Sequence, residues 1–228
     1  MNPPYAFEDL GPLTRMLKLL LGLGIAVAVI GALSSAMQLQ LLDRPSITEA
    51  QAATNDLREM IIGWFDMGLY VLTAIVFGRW IVQANKNVRA LGAADLRVTP
   101  GWAVGYLFVP IVSLWKPYQA MSDLWRASRN PAAWASVRRG SILPLWWGLW
   151  IAANIIGQVA MRATLAAEGL EALRDATIIQ MANQAVGIPL CLAARALVTQ
   201  IADAQRAGTL GMTPAPVAPF VAPMATPD

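Results

Sequence analysis

The sequence has no histidine and a single cysteine, and only 14% of its residues are charged. The absence of histidine excludes histidine-ligated haem, zinc and copper sites, and catalytic nucleophiles that depend on a histidine base. The one cysteine, Cys191, lies in an apolar run, so it forms no internal disulfide and is expected to be an unreactive packing residue. We therefore expect no catalytic constellation, no metal site and no cofactor, and the protein is predicted not to be an enzyme.

Charged residues are scarce compared with soluble domains, in which about a quarter of the residues are charged. Here 57% of the residues are hydrophobic, and they are concentrated in several long apolar runs. A polytopic membrane protein is the class that fits this composition. The net charge of +3 is small and no basic soluble domain is present, so we predict that the protein binds no nucleic acid.

Four apolar runs are long enough to cross a bilayer, which takes about 20 residues of helix. We predict an all-α membrane protein with spans at about 17–42, 58–83, 141–165 and 176–200, within one domain of residues 1–208. A cleaved signal peptide is the alternative for the first run, but the apolar character continues to Leu42, which is too long for a signal. The Pro- and Ala-rich tail, residues 209–228, is predicted to be a disordered cytoplasmic tail.

The segment 101–128, between the second and third spans, resembles a span but is too short for one. Its apolar part covers Trp102 to Trp115, about half to two-thirds of the length that a helix needs. Pro110 interrupts this part, and Lys116-Pro117 ends it. We predict an insertion that either dips into the membrane and returns or lies along its surface.

The residues after Pro117 have the spacing of an amphipathic helix. Tyr118, Met121, Leu124 and Trp125 recur at helical intervals, which predicts a helix at the membrane interface. The alternative is a helix that packs on other loops of the protein.

The positive-inside rule orients the spans, because short cytoplasmic loops carry an excess of lysine and arginine. With both termini in the cytoplasm, all but four of the 17 basic residues lie on the cytoplasmic side. The four on the outer side are Arg44, Arg58, Arg162 and Arg174. A fifth full span through the central segment is the alternative, but it would place a basic stretch outside and invert two spans.

Most of the nine tryptophans fall near the inner interface in this arrangement. They are Trp80, Trp102, Trp115, Trp125, Trp134, Trp146 and Trp147. A belt on one side indicates extra structure in the headgroup layer, and ordinary interfacial anchoring is the other interpretation.

The stretch 79–128 combines tryptophan, glycine and proline motifs in an unusual way. They are Arg79-Trp80-Ile81, Asn87 with Arg89, Leu91-Gly92, Thr99-Pro100-Gly101-Trp102-Ala103-Val104-Gly105-Tyr106, Phe108-Val109-Pro110-Ile111, Leu114-Trp115-Lys116-Pro117-Tyr118 and Leu124-Trp125-Arg126-Ala127-Ser128. The stretch resembles a bacterial membrane family described as domain of unknown function 4328, whereas the first loop and the tail do not. The resemblance implies a multi-pass protein of the bacterial inner membrane, and it carries over no activity or catalytic residue.

Basic and aromatic residues around the central segment form the first candidate site. They are Arg79, Asn87, Arg89, Trp102, Pro110, Trp115, Lys116, Pro117, Tyr118, Trp125, Arg126, Arg138 and Arg139. A surface of this composition suits anionic lipid headgroups or the juxtamembrane helix of a membrane-protein partner. The other interpretation is that the charges only orient the protein.

Polar residues inside the predicted spans form the second candidate site, since ionisable groups in a membrane are costly and often functional. They are Asp66, Asn154, Gln158, Arg162, Gln180, Asn183 and Gln184. If their faces converge, Asp66 pairs with Arg162 in a layer suited to a proton or cation path. The alternative is a structural cluster of interhelical hydrogen bonds.

We therefore expect a non-enzymatic scaffold, regulator or lipid- or partner-binding protein that acts at the cytoplasmic face. A small transporter or channel subunit is the alternative. It would be a homo-oligomer, because four spans leave little room for a pore of their own.

Overall fold

A computed structural model describes residues 5–211, and this part of the chain contains no β-strand. Its helices are α1 (Gly11–Leu42), α2 (Glu49–Ala90), α3 (Trp102–Gly105), α4 (Lys116–Arg129), α5 (Ile142–Leu165) and α6 (Leu170–Gly211). Short 3₁₀ turns cover Tyr106–Phe108, Val112–Leu114 and Trp134–Ser136. Four helices, α1, α2, α5 and α6, are long and apolar enough to cross a membrane. The prediction of an all-α protein with four such helices is confirmed.

Three of the long helices, α1, α2 and α6, extend beyond the predicted spans. α2 begins at Glu49 because Thr48 and Gln51 form a capping box, in which each side chain accepts a hydrogen bond from the backbone N–H of the other. α6 continues past Gly208, where the predicted helical domain ends, and is described as far as Gly211. The rest of the predicted disordered tail, residues 212–228, lies outside the described residues.

The four long helices pack side by side. α1 lies between α2 and α6, and α5 packs on α6. Because consecutive long helices run in opposite directions, α1 and α5 begin at the end of the bundle where α2 and α6 finish. The hydrogen bond from Trp80 Nε1 to Thr14 Oγ1, at 2.9 Å, joins α2 to α1 near this end. We call it the α4 end, because α4 packs there against α2, α5 and α6.

The densest core of the protein lies at the α4 end. Its largest fully buried apolar side chains are Trp80, Leu17, Leu124, Leu143, Leu197 and Ile201. They come from five helices, which therefore share a common core at this end. Toward the opposite end the long helices expose large apolar side chains, as expected for surfaces that face lipid.

α4 is buried on most of its surface, with Ala120 to Trp125 buried in succession. A helix with one face in lipid would bury one side only, so the helical spacing in this segment reflects packing between α2, α5 and α6. The predicted position of this helix in a headgroup layer stays a prediction.

The connection between α2 and α5 begins and ends at the α4 end. Trp134 Nε1, after α4, donates a hydrogen bond of 2.8 Å to the carbonyl oxygen of Ala94, before α3. Between these points the chain turns at Pro110 and Ile111, where Ile111 has a φ of 66° and Ser113 N–H bonds to the Val109 carbonyl. The side chains of Phe108 and Ile111 at this turn are exposed. The apolar segment thus forms a return loop at the α4 end, and whether it dips into a membrane or lies along its surface stays a prediction.

Candidate functional site

The residues of the predicted cytoplasmic surface separate into an exposed group and an internal group. The exposed or half-exposed side chains are Arg79, Trp102, Pro110, Trp115, Lys116, Tyr118, Arg138 and Arg139. Those that are buried or held by internal hydrogen bonds are Asn87, Arg89, Pro117, Trp125 and Arg126. Only the exposed group is free to meet a ligand or partner.

Asn87 lies in a buried polar network that joins four parts of the chain. Its amide exchanges two hydrogen bonds with the backbone of Glu8, and Nδ2 also donates to Gln205 Oε1 at 3.2 Å. Gln205 Nε2 in turn donates to Ser128 Oγ at 3.0 Å and to the Ala84 carbonyl at 3.1 Å. The network ties the N-terminal segment, α2, α4 and α6 together, and Asn87 therefore has a structural role.

Arg97 and Asp123 form an ion pair that joins the loop after α2 to the middle of α4. Arg97 donates two hydrogen bonds to the carboxylate, at 2.8 and 2.6 Å. The side chain of Asp123 is only 4% exposed, whereas that of Arg97 is 45% exposed. The hydrogen bond to Asp123 raises the pKa of the Arg97 guanidinium above its ordinary value. A buried carboxylate needs such a partner, so this pair fixes the loop on α4.

Arg126 and Arg129 are held against aromatic rings at the C-terminal end of α4. Arg126 donates to the carbonyls of Val137 and Ala135 and lies 5.3 Å from the centre of the Trp134 ring. The guanidinium of Arg129 stacks on the buried Trp125, and burial lowers the pKa of Arg129. Arg126 thus fastens the loop that leads to α5 and is not available for an external anion.

Arg89 has a similar internal role at the end of α2. It donates to the Asn85 carbonyl at 2.9 Å and to the Val98 carbonyl at 2.6 Å. These bonds fix the loop that leads to Thr99-Pro100-Gly101 and hence the start of α3.

A groove of about 650 Å³ runs between α2 and the segment of residues 104–108, which we call the α3 segment. Its lining residues are Tyr70, Val71, Ala74, Ile75, Gly78, Arg79, Val82, Gln83, Lys86, Val104 and Phe108. Val104 packs on α2 at Gly78, where a Cβ would be in ordinary van der Waals contact with Val104 Cγ1 at 3.5 Å. The groove is apolar at its Tyr70 end and polar at its Lys86 end. Sequence reasoning placed both of its cations, Arg79 and Lys86, on the predicted cytoplasmic face.

The predicted intramembrane layer does not gather around Asp66. The pair Ser34 Oγ to Glu59 Oε1, at 2.5 Å, aligns α1 with α2, and Gln38 Nε2 to Thr177 Oγ1, at 3.1 Å, aligns α1 with α6. In this register Arg162 lies near the level of Thr177. At a helix rise of about 1.5 Å per residue, Asp66 is roughly 15 Å away from that level along the bundle axis. Among residues 5–211 the two form no ion pair, and both side chains are exposed.

The remaining residues of that layer lie in the half of α5 and α6 that is away from the α4 end. Asn183 packs on Gly157 of α5, and Gln184 packs on Gly31 of α1 with its Oε1 buried and unpartnered among the described residues. Gln180 is half-buried and Gln158 is exposed. Asn154 donates to the Trp150 carbonyl of its own helix. Asn183 and Gln184 thus pack between helices, but within residues 5–211 none of the five side chains forms a hydrogen bond to another helix.

Sequence reasoning missed a polar cluster between α1 and α2 in the same half of the bundle. Arg58 donates to Ser34 Oγ at 2.7 Å and to Asn55 Oδ1 at 2.6 Å, while Glu59 accepts from Ser34. The spacing of Asn55, Arg58 and Glu59, which places them on one helical face, was the signal available in the sequence. This cluster satisfies the polar groups where the two helices meet.

Arg195 was also missed as an intramembrane group, because the charge count placed it on the cytoplasmic flank. Its guanidinium packs on α1, with Nη1 3.0 Å from the position of a Cβ on Gly22. Cys191, one turn away, packs similarly on Gly24 at 3.5 Å, and Asp66 is near enough to act electrostatically on its thiol. Small residues of α1 thus admit larger side chains of α6 within the span.

The described residues contain no group of three His, Cys, Asp or Glu side chains that could hold a metal ion.

Comparison with known proteins gives one result. No curated protein and no solved structure matches the chain. A family model described as domain of unknown function (DUF4328) matches residues 43–203. The match is wider than the stretch 79–128, since it covers α2 to most of α6 and includes the first loop, which our resemblance had left out. The chain therefore belongs to the DUF4328 family.

Proposed function

We propose that this protein is a non-enzymatic membrane protein that binds anionic lipid at the α4 end of its bundle, on the cytoplasmic face. The observation that carries the proposal is the composition of that end. The cations Arg79, Lys116, Arg138 and Arg139 and the indole of Trp102 are exposed or half-exposed there. Cations attract anionic headgroups, and indoles favour the membrane interface.

The opposite end of the bundle supports this assignment by contrast. Its two loops and helix ends carry exposed acidic side chains, which are Asp43, Glu49, Asp56, Glu168, Glu171 and Asp175. Arg174 there is within 3.5 Å of Asp43. The excess of cations at the α4 end is what the positive-inside rule expects of a cytoplasmic face, and it supports the proposed orientation.

Removing two exposed arginines should weaken the retention of anionic lipid. We expect the Arg138→Ala/Arg139→Ala variant to retain about half or less of the phosphatidylglycerol that the unmodified protein carries through purification, since each cation near a lipid surface contributes about 1 kcal/mol. The measurement is lipid analysis of protein purified in mild detergent. Arg44→Ala/Arg174→Ala, with the same charge change at the opposite end, should retain the full amount. Absence of bound anionic lipid from the unmodified protein would refute the proposal.

A second candidate function, a small transporter or channel subunit, is favoured by Asp66. Its carboxylate is exposed in the middle of α2, where an unpaired charge is costly. If it carries a proton or cation, Asp66→Asn should abolish a flux that the unmodified protein supports in proteoliposomes. Asp43→Asn, an exposed loop carboxylate, is the control and should leave the flux unchanged. Equal fluxes for both variants, or no flux for the unmodified protein, would rule out this function.

A further inference from the structure

The groove between α2 and the α3 segment has two chemically different ends. Val71, Ala74 and Ile75 of α2 and Phe108 of the return loop form its apolar wall. Arg79, Gln83 and Lys86 follow along the same helix toward the α4 end. From Tyr70 to Lys86 the helix rises about 24 Å at 1.5 Å per residue, which is close to the depth of one bilayer leaflet with its headgroups.

The two cations of the groove are available to a ligand. Arg79 and Lys86 lie two turns apart on one face of α2, so both project along the groove. Within residues 5–211 neither side chain forms an ion pair or a hydrogen bond, unlike Arg89, Arg97 and Arg126 of the same end. The described part of the chain therefore supplies no acidic partner for either charge.

The return loop supplies the wall that faces these cations. Val104 packs on α2 at Gly78. Phe108 lines the apolar side of the groove, and its side chain is 82% exposed. An exposed phenylalanine next to an apolar helix face suits the methylene groups of a lipid chain. The volume of the groove, about 650 Å³, lies in the range of about 300–1,000 Å³ that is typical of small-molecule sites.

We propose that this groove binds one anionic glycerophospholipid, with its phosphate at Arg79 and Lys86 and an acyl chain along Val71, Ala74, Ile75 and Phe108. The inference rests on the proposed function and names its specific site and ligand class. The order of the two ends carries it: apolar residues lie toward the middle of the bundle and cations toward the α4 end, which is the order of chain and headgroup in a leaflet.

The charge of the site is tested by native mass spectrometry of the full chain in detergent with added phosphatidylglycerol or phosphatidylcholine of identical acyl chains. The first phosphatidylglycerol should bind more tightly than the first phosphatidylcholine. In Arg79→Ala/Lys86→Ala the apparent Kd of that first step should rise about tenfold or more, as expected for the loss of two cations near a lipid phosphate. In the matched variant Arg138→Ala/Arg139→Ala only later binding steps should weaken.

The apolar part is tested with Ala74→Phe, which fills the wall at an exposed position and should leave the core intact. It should weaken the first step for both lipids several-fold, with an unchanged thermal unfolding temperature. Glycerol 3-phosphate should not compete, because it lacks the acyl chain; competition at concentrations comparable to the lipid would instead identify a soluble phosphate site and overturn the lipid assignment.

The outcomes separate this inference from the proposed function. If the unmodified protein prefers phosphatidylglycerol but the Arg79/Lys86 variant binds the first lipid normally, the groove is not the site and the basic surface remains. If the unmodified protein shows no preference for phosphatidylglycerol, both proposals fail together.

Discussion

Replacing Gln205 by alanine is expected to destabilise the protein by about 2–3 kcal/mol, through lost buried hydrogen bonds and the cavity left behind. Gln205 is 1% exposed and bonds to Asn87, Ser128 and the Ala84 carbonyl. Truncation leaves the Asn87 amide and the Ser128 hydroxyl with fewer partners in a buried place. The effect should reach the N-terminal segment, because Asn87 also holds Glu8.

The measurement for Gln205→Ala is thermal or denaturant unfolding of the protein in detergent micelles, with the unmodified protein in parallel. Gln200→Ala, the same substitution in the same helix, is the control, since Gln200 is exposed and only accepts a weak bond of 3.4 Å from Arg129. It should change stability by less than about 0.5 kcal/mol. Equal effects of the two variants would mean that the network does not hold the α4 end together.

Replacing Arg97 by alanine is expected to cost about 2–3 kcal/mol, because it leaves the buried carboxylate of Asp123 without its partner. The figure is below that of a fully buried pair, since the Arg97 side chain is 45% exposed and water screens it. Loss of the pair should also release the loop between α2 and α3 from α4. Limited proteolysis should then cut that loop faster than in the unmodified protein.

The charge argument for this pair is tested by changing both partners. Arg97→Met/Asp123→Leu removes the buried charge together with its partner and should recover most of the lost stability. Arg44→Ala, an exposed arginine of the opposite end, serves as the control and should have no measurable effect. A double variant that is less stable than Arg97→Ala alone would show that the pair is favourable beyond the neutralisation of Asp123.

The long helices could be predicted from the sequence because a helix that crosses a bilayer must be apolar over about 20 residues. Their ends were harder to place. The start of α2 depends on the capping box of Thr48 and Gln51, a local signal within a stretch that we interpreted as a loop. The short apolar length and basic flanks of the segment around Pro110 predict that it dips into the membrane or lies along its surface, and this stays a prediction.

The candidate site was only partly predictable, since composition does not say which cations the chain uses internally. Arg89, Arg126 and Arg79 look alike in the sequence, but the first two bond to backbone carbonyls and the third is exposed in the groove. Asp123 lies off the apolar face that the helical spacing predicts, whereas α4 is surrounded by α2, α5 and α6 and buries it. Its partner Arg97 is 26 residues away along the chain, beyond the reach of any helical pattern.

Local hydrophobicity determined the class of protein and the four long helices. These properties depend on single segments and their interaction with lipid and water. The depth of Asp66 relative to Arg162, the pairing of Arg97 with Asp123, the network of Gln205 and the two-ended groove were decided only by the tertiary structure. Each depends on the axial register and the rotation of helices that are far apart in the chain. Many weak contacts between helices set this register and rotation, and no single segment encodes them.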